Sequence, residues 1–243
     1  HMSHEAVEVG RLLFKWRQYD AVVALAESVV KSGAESADLS LLLGNAYLKT
    51  GSYDASYELF SRVVAKNERR EQAMAGLAEA SFMLRRYDDV VGICNRLETA
   101  GHLSKRLAIY MSLALINSGD VREGMNRLYR LDYEDGSDRN VKRAIAWGHL
   151  MNHKPDEAER IYDALVADGS DVADDLLNCG YAKWLLHRNG EARQLFGRYK
   201  AAMESNGNSG CLASAFAADK GLLDMYGVGD FEKVIMLESV VKK

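Results

Sequence analysis

The sequence predicts an all-α protein made of repeated helix pairs, and three observations support this prediction. Similar residues recur at intervals of 34, beginning with the tyrosines at positions 19, 53 and 87. One position of the repeating unit always holds a small residue: Gly10, Gly44, Ala78, Ser112, Ala146 and Gly180. Another position holds mainly bulky apolar residues: Ala26, Phe60, Cys94, Leu128, Tyr162 and Phe196. A unit of 34 residues accommodates two helices and two turns, which is a helical hairpin.

The first helix of each unit is predicted to carry the small residue, so that the second helix can approach it closely. The bulky residue lies in the second helix, where we expect it to fill the space between one hairpin and the next. The two positions keep their spacing from the first unit through the sixth without an insertion or deletion.

The second helix of several units is predicted to begin at a tyrosine followed by an acid, because a carboxylate near a helix N-terminus complements the helix dipole. These acids are Asp20, Asp54 and Asp88, and Asp156 follows Pro155 in the fifth unit. Proline suits the first turn of a helix, where no amide partner is lost. The helices are expected to end in left-handed residues at Gly33, Asn67, Gly101 and Gly169.

The pattern within the units resembles the tetratricopeptide repeat family, whose consensus has a leucine-glycine pair, a tyrosine, and then alanine and phenylalanine in the second helix. The matching residues are Leu43, Gly44, Tyr47 and Phe60 in the second unit, Ala158 and Tyr162 in the fifth, and Gly180, Ala192 and Phe196 in the sixth. Ser56 takes the alanine position of the second unit, and the consensus tryptophan and closing proline are absent. The resemblance implies a right-handed superhelical solenoid whose first helices line a concave groove.

The repeats are predicted at about 3–36, 37–70, 71–104, 105–138, 139–172, 173–206 and 211–243, forming one solenoid domain over 3–243. Residues 1–2 resemble an expression scar. A glycine-rich loop near 204–210 precedes the divergent seventh repeat, whose second helix is expected to open at Phe231. The last apolar residues of that repeat, Val234, Ile235, Leu237 and Val241, are expected to be partly bare.

The groove is predicted to be apolar and aromatic in repeats four to six and mixed in the first three repeats. We therefore predict a partner-binding surface formed by Ile109, Leu113, Arg143, Trp147, Leu150, Met151, Leu177, Tyr181, Trp184 and Leu185. Exposed apolar patches mark interaction sites, and tryptophan, tyrosine and arginine are enriched at binding hot spots. Three alternatives stay open: some of these residues pack against the first helix of the next repeat and are partly core, the helix around Cys211–Tyr226 fills the groove, or the groove forms a dimer interface.

The predicted function is a scaffold or adaptor that binds a peptide, a helix or a partner domain. The alternative is a structural module that self-assembles through the same apolar surface. The residues needed by the family members that grip a chaperone's C-terminal carboxylate are absent, since the matching positions hold Val7, Arg11, Leu42, Gln72 and Gly76.

No enzyme, cofactor or metal site is predicted. His149 and His153 have the i, i+4 spacing of metal ligands, but no HExxH motif surrounds them, so a structural role is favoured. Cys94 and Cys179 fall at core positions, and Cys211 is the one cysteine expected to be reachable.

Composition restricts the classes of partner. A net charge of −4 and the lack of a basic run argue against nucleic acid, and against an array of helical hairpins that reads RNA. No apolar run reaches the ~18 residues of a membrane span. The compartment stays open, although unpaired cysteines and the absence of a visible signal peptide favour the cytoplasm.

Overall fold

The computed structural model describes residues 2–207, 210–228, 231 and 233, and within these ranges the chain is helical with no strand. It divides into two compact units, His1–Asp120 and Val121–Lys243. The boundary between the units falls inside the predicted fourth repeat, whose two helices therefore belong to different units. The single solenoid domain over 3–243 stays a prediction.

The first unit contains three helical hairpins and one further helix. Its helices are α1 (Met2–Lys15), α2 (Tyr19–Lys31), α3 (Ala37–Thr50), α4 (Tyr53–Ala65), α5 (Arg70–Met83), α6 (Tyr87–Thr99) and α7 (Lys105–Asn117). Three of them, α2, α4 and α6, begin at the tyrosines that first revealed the period.

The second unit continues the same pattern. The described helices are α8 (Val121–Glu134), α9 (Arg139–Met151), α10 (Pro155–Ala167), α11 (Ala173–Leu185), α12 (Asn189–Ser205), α13 (Cys211–Ala218) and α14 (Lys220–Met225). The single long helix expected near Cys211–Tyr226 is instead two short helices with a turn at Asp219. Apart from Phe231, which is helical and buried, the predicted end of the seventh repeat lies almost entirely outside the described residues.

Short polar side chains fix where several first helices begin. Ser36 and Ser104 each accept a hydrogen bond at 3.2 Å from the backbone nitrogen three residues later. Asp138 accepts two such bonds, from Asn140 at 2.8 Å and from Val141 at 3.2 Å. Each cap satisfies amide donors that the first turn of a helix leaves without an intrahelical partner.

The turn inside each hairpin repeats its backbone conformation as regularly as the sequence repeats its residues. Positive φ angles occur at Arg17, Gly51, Arg85, Gly119, His153 and His187, at intervals of 34. The turns between hairpins use the predicted left-handed residues, with φ of 85° at Gly33, 60° at Asn67, 77° at Gly101 and 76° at Gly169. The helix-ending residues are therefore confirmed.

Pairs of small and large residues pack the hairpins together. The Phe60 ring lies so close to Gly44 and Gly76 that an added Cβ would fall within 2.6 Å and 2.4 Å of its Cζ atom. Phe196 covers Gly180 in the same way, with a Cβ-to-Cε1 distance of 2.5 Å. Real Cβ atoms do not approach this closely, so the predicted reason for the small-residue position is confirmed at these hairpins.

Candidate functional site

An aromatic cluster occupies the centre of the second unit. Tyr181 lies 5.8 Å from Phe196 and 6.1 Å from both Phe216 and Phe231, measured between ring centroids. The rings of Phe216 and Phe231 are 4.9 Å apart and nearly perpendicular, an arrangement that aromatic pairs favour. The cluster brings residues of α11 and α12 together with residues that follow the glycine-rich loop.

Tyr181 was expected to point into an open groove, and the structure corrects this expectation. Its side chain is fully buried, and its hydroxyl donates a hydrogen bond of 2.7 Å to Oδ2 of Asp219. Burial raises the pKa of the Tyr181 phenol far above its usual value, and the charge of Asp219 and this hydrogen bond add to the effect. Tyr181 is therefore a core residue that cannot reach a partner in this conformation.

Leu150 and Leu177 are also buried in the core rather than available to a partner. Tyr226, just after α14, donates a hydrogen bond of 2.6 Å to the backbone carbonyl of Leu150 in α9. The Tyr226 ring also lies 5.1 Å from that of His153. The segment Cys211–Tyr226 thus covers part of the predicted surface, which is the self-filling alternative that the sequence left open.

Four predicted residues of the second unit keep partial exposure: Trp147 and Met151 on α9, and Trp184 and Leu185 on α11. All four pack against the same hydrophobic core. Trp184 makes an edge-to-face contact with Phe231 at 5.1 Å, and the guanidinium of Arg193 lies 5.9 Å from its ring. We call these four residues the tryptophan surface.

Arg143 forms a two-pronged ion pair within the chain. Its Nε and Nη2 atoms donate hydrogen bonds of 3.0 Å and 2.9 Å to the two carboxylate oxygens of buried Asp175, at the start of α11. Ser170 donates a further bond of 2.6 Å to Asp175. Arg143, predicted to bind a partner, is therefore engaged by a carboxylate of the protein itself, and the pair joins α9 to α11.

Ile109 and Leu113 are half-buried on α7, which belongs to the first unit. The other eight predicted binding residues belong to the second unit. That these ten residues bind a partner stays a prediction. Of the ten, only the four residues of the tryptophan surface enter the function proposed below.

A charged cluster around Lys183 is a feature that sequence reasoning missed. The Lys183 ammonium lies 2.9 Å from Asp163 and 3.3 Å from both Glu159 and Glu191. Burial lowers the pKa of Lys183, but its bonds to Asp163 and Glu159 outweigh burial and raise the pKa above the usual value. The sequence showed that a lysine occupies the position where the consensus has tyrosine, but not that acids from two other helices converge on it.

The cysteines, and the histidines that the structure describes, show no feature of a reactive or metal-binding site. All three cysteines are buried, including Cys211, so the expectation that Cys211 is reachable was wrong. Burial, followed by the charge of Asp163, raises the pKa of the Cys179 thiol to about 12. In the part of the chain that the structure describes, no three His, Cys, Asp or Glu side chains converge as metal ligands.

A second apolar surface lies on α1 and was not predicted. Val9, Leu12 and Trp16 are exposed to 49%, 52% and 64%. Met2 is also exposed, but it belongs to the pair of residues that resembles an expression scar. The spacing of Val9, Leu12 and Trp16, at i, i+3 and i+7, was a signal for a single face of one helix.

Comparison with known families gives a match in the first half of the chain. Residues 10–67 and 41–101 match the family model described as a tetratricopeptide repeat. No curated protein matches the sequence significantly. Among the described residues, no helix has both the length and the apolar character needed to cross a bilayer.

Several solved structures share the architecture. A tetratricopeptide repeat protein from Parabacteroides merdae superposes with a TM-score of 0.71 at 13% identity, covering 92% of this chain and 84% of the other. A thermophilic repeat protein of Thermus thermophilus gives 0.57 at 18% identity, covering 74% and 98%. MamA from Desulfovibrio magneticus gives 0.59 at 9% identity, covering 70% and 98%. At these identities the likeness shows the fold alone, and it confirms the predicted all-α fold class.

Proposed function

We propose, from the premise that this chain is a tetratricopeptide repeat protein, that it binds another protein through the tryptophan surface. Repeats of this family form scaffolds that often mediate protein interactions. The partner offers an apolar or amphipathic segment, because the surface consists of two indole rings, a methionine and a leucine.

The observation that carries this proposal is the incomplete burial of Trp147 and Trp184 beside a densely packed core. The surrounding residues Leu150, Leu177 and Tyr181 are buried, whereas the two indoles remain partly exposed. Large rings that are held by a core and partly exposed to solvent offer contact area with little loss of conformational freedom on binding. Met151 adds a side chain that adapts to different partner shapes.

The test introduces charge at the rim of this surface rather than truncating the tryptophans. Trp147 and Trp184 pack against the core, so their replacement by alanine combines lost stability with lost binding. Met151 and Leu185 are smaller partly exposed side chains that also contact this core, so the stability of Met151→Glu and Leu185→Glu is measured by urea denaturation before binding is compared. Immobilised wild-type protein and each variant are used to capture proteins from a lysate of the source cells. Dissociation constants are then measured with each purified captured protein.

We expect a specific partner to bind the wild type and to lose at least tenfold in affinity with either glutamate variant. The matched control is Met83→Glu, which places the same charge on an exposed methionine of α5 in the first unit. The proposal fails if every captured protein binds all three variants as it binds the wild type, while circular dichroism shows that they are folded.

The same variants separate partner binding from self-assembly through this surface. Sedimentation of the wild type alone, over a range of concentrations, reports self-assembly directly. If the mass of the wild type falls on dilution while that of Leu185→Glu stays constant, the surface mediates self-assembly and the adaptor function is rejected.

A further inference from the structure

The exposed stripe on α1 is narrow and mainly apolar, and Glu5 is the charged residue within it. Residues Val9, Leu12 and Trp16 fall within about 60° of one another on a helical projection. Trp16 follows the last residue of α1, but its amide still donates to the carbonyl of Leu12 at 3.0 Å, which keeps its position on the helical surface. Apart from Met2, which belongs to the apparent expression scar, six large apolar side chains are exposed within the described residues, and three of them belong to this stripe. Such a concentration of exposed apolar side chains on one helix face is typical of an interaction surface without its partner.

Charged residues beside the stripe indicate which partner fits. Glu8 and Lys15 are both exposed on the same flank of α1, because seven residues correspond to almost two turns. They lie about 10 Å apart along the axis, too far for a direct ion pair. Glu8 instead approaches His4 at 3.3 Å in a pair whose two side chains are largely solvent-exposed. The flank is thus negative towards the N-terminus and positive towards the C-terminus.

This charge pattern is complementary to a copy of itself that runs in the opposite direction. If two α1 helices pack antiparallel through their stripes, a two-fold axis between residues 11 and 12, in the C-terminal half of the helix, places Glu8 of each copy beside Lys15 of the other. The two copies of Leu12 then meet near the axis, and Val9 of each copy packs between Leu12 and Trp16 of the other. A parallel arrangement would instead place the two copies of Glu5, which lies in the stripe, at the same level.

We propose that the α1 stripe is a homodimer interface in which two copies of this chain pack α1 against α1 in an antiparallel, two-fold arrangement. This interface is separate from the tryptophan surface and does not depend on the function proposed for that surface. A helix of 14 residues is about 21 Å long, so the contact belongs to the small class of interfaces below about 1,200 Å². We therefore expect a weak dimer with a dissociation constant in the micromolar range.

Sedimentation equilibrium of the wild type, from low micromolar to millimolar concentration, measures this dimer. Leu12→Ser removes the centre of the stripe, and we expect it to keep the protein monomeric across the range. Leu12 is about half exposed, so the variant should retain the wild-type circular dichroism spectrum and melting temperature. Met83→Ser, at an exposed methionine of α5 outside the stripe, is the matched control and should dimerise normally.

Charge reversal tests the antiparallel arrangement. Glu8→Lys and Lys15→Glu should each weaken the dimer about tenfold, since symmetry converts two attractive pairs into two repulsive ones. The double variant Glu8→Lys/Lys15→Glu should recover most of the affinity, because each lysine again faces a glutamate of the other copy. Lys31→Glu, an exposed change on α2, controls for the altered net charge.

Each outcome decides the proposal. A wild type that is monomeric up to millimolar concentration overturns it, and so does a dimer that Leu12→Ser leaves intact. A dimer that Leu12→Ser abolishes but the double charge reversal does not restore overturns the antiparallel arrangement. Met151→Glu and Leu185→Glu should dimerise as the wild type does, which distinguishes this interface from the tryptophan surface.

Discussion

At the scale of single residues, Tyr181 shows how a hydroxyl can be accommodated in an apolar core. Its ring packs among Phe196, Phe216 and Phe231, and its oxygen is satisfied by Asp219. The helical position of Tyr181 was predictable from the repeat. Its burial was not, because the residue that receives its hydrogen bond lies 38 positions later, beyond an irregular loop.

We expect Tyr181→Phe to lower the free energy of unfolding by about 1.5–3 kcal/mol, because it removes a hydrogen bond to a charged acceptor while preserving the ring packing. Urea denaturation followed by circular dichroism measures the change. Tyr129→Phe, at an exposed tyrosine of α8, should have almost no effect. Equal stabilities for Tyr181→Phe and the wild type would show that the hydrogen bond contributes nothing.

At the scale of secondary structure, the sequence predicted where the hairpin turns lie but not their backbone conformation. Glycine at 51 and 119 is an evident left-handed residue, whereas arginine and histidine at the equivalent positions gave no such signal. The structure shows that geometry at these turns follows the repeat rather than the residue type. A side chain in the left-handed region is strained, so these turns store unfavourable energy.

This strain makes His187→Gly a stabilising change. Its φ is 62°, and glycine adopts that conformation without a steric penalty, so we expect stability to rise by about 0.5–1 kcal/mol after the entropy cost of the added glycine. The reverse change, Gly119→Ala at φ 103°, should destabilise by at least as much. Thermal melts of both variants against the wild type test the pair. A lower melting temperature for His187→Gly would contradict the argument.

At the scale of the whole molecule, the 34-residue period of the sequence predicted most of the fold, but it did not predict which residues of the binding surface stay exposed. Small residues facing large rings are local to a hairpin and its neighbour, so Gly44 and Phe60 could be assigned from spacing. Which of the predicted binding residues stay exposed depends on where later segments fold, as Leu150 and Tyr226 illustrate. The cation at Lys183 depends on acids from α10 and α12, and no periodic pattern reveals such a convergence.

The distribution of raised pKa values predicts that the protein is sensitive to alkali. Burial raises the pKa of Cys179, Tyr199 and Tyr226 to about 12 in the second unit, and that of Tyr47 to about 12 in the first. In the unfolded chain these groups ionise near pH 9 to 10, so unfolding releases protons there. Stability is therefore complete below about pH 9 and should fall steadily towards pH 12.

Urea denaturation at a series of pH values measures this fall. Hydrogen exchange at a series of pH values compares the two units. We expect peptides from the second unit to lose their protection at a lower pH than peptides from the first, since most of the buried hydroxyls and thiols with a raised pKa belong to the second unit. Unchanged urea midpoints between pH 8 and 11 would be incompatible with the expected proton release.

The hydrogen bonds from Tyr181 to Asp219 and from Tyr226 to Leu150 also have a consequence for proteolysis. A protease that cleaves the exposed backbone at Gly207 would cut the chain without releasing the C-terminal fragment. The two fragments would remain associated through the buried rings of Phe216 and Phe231, and would migrate as one species until a denaturant separates them. A nicked preparation of this protein would thus look intact under native conditions.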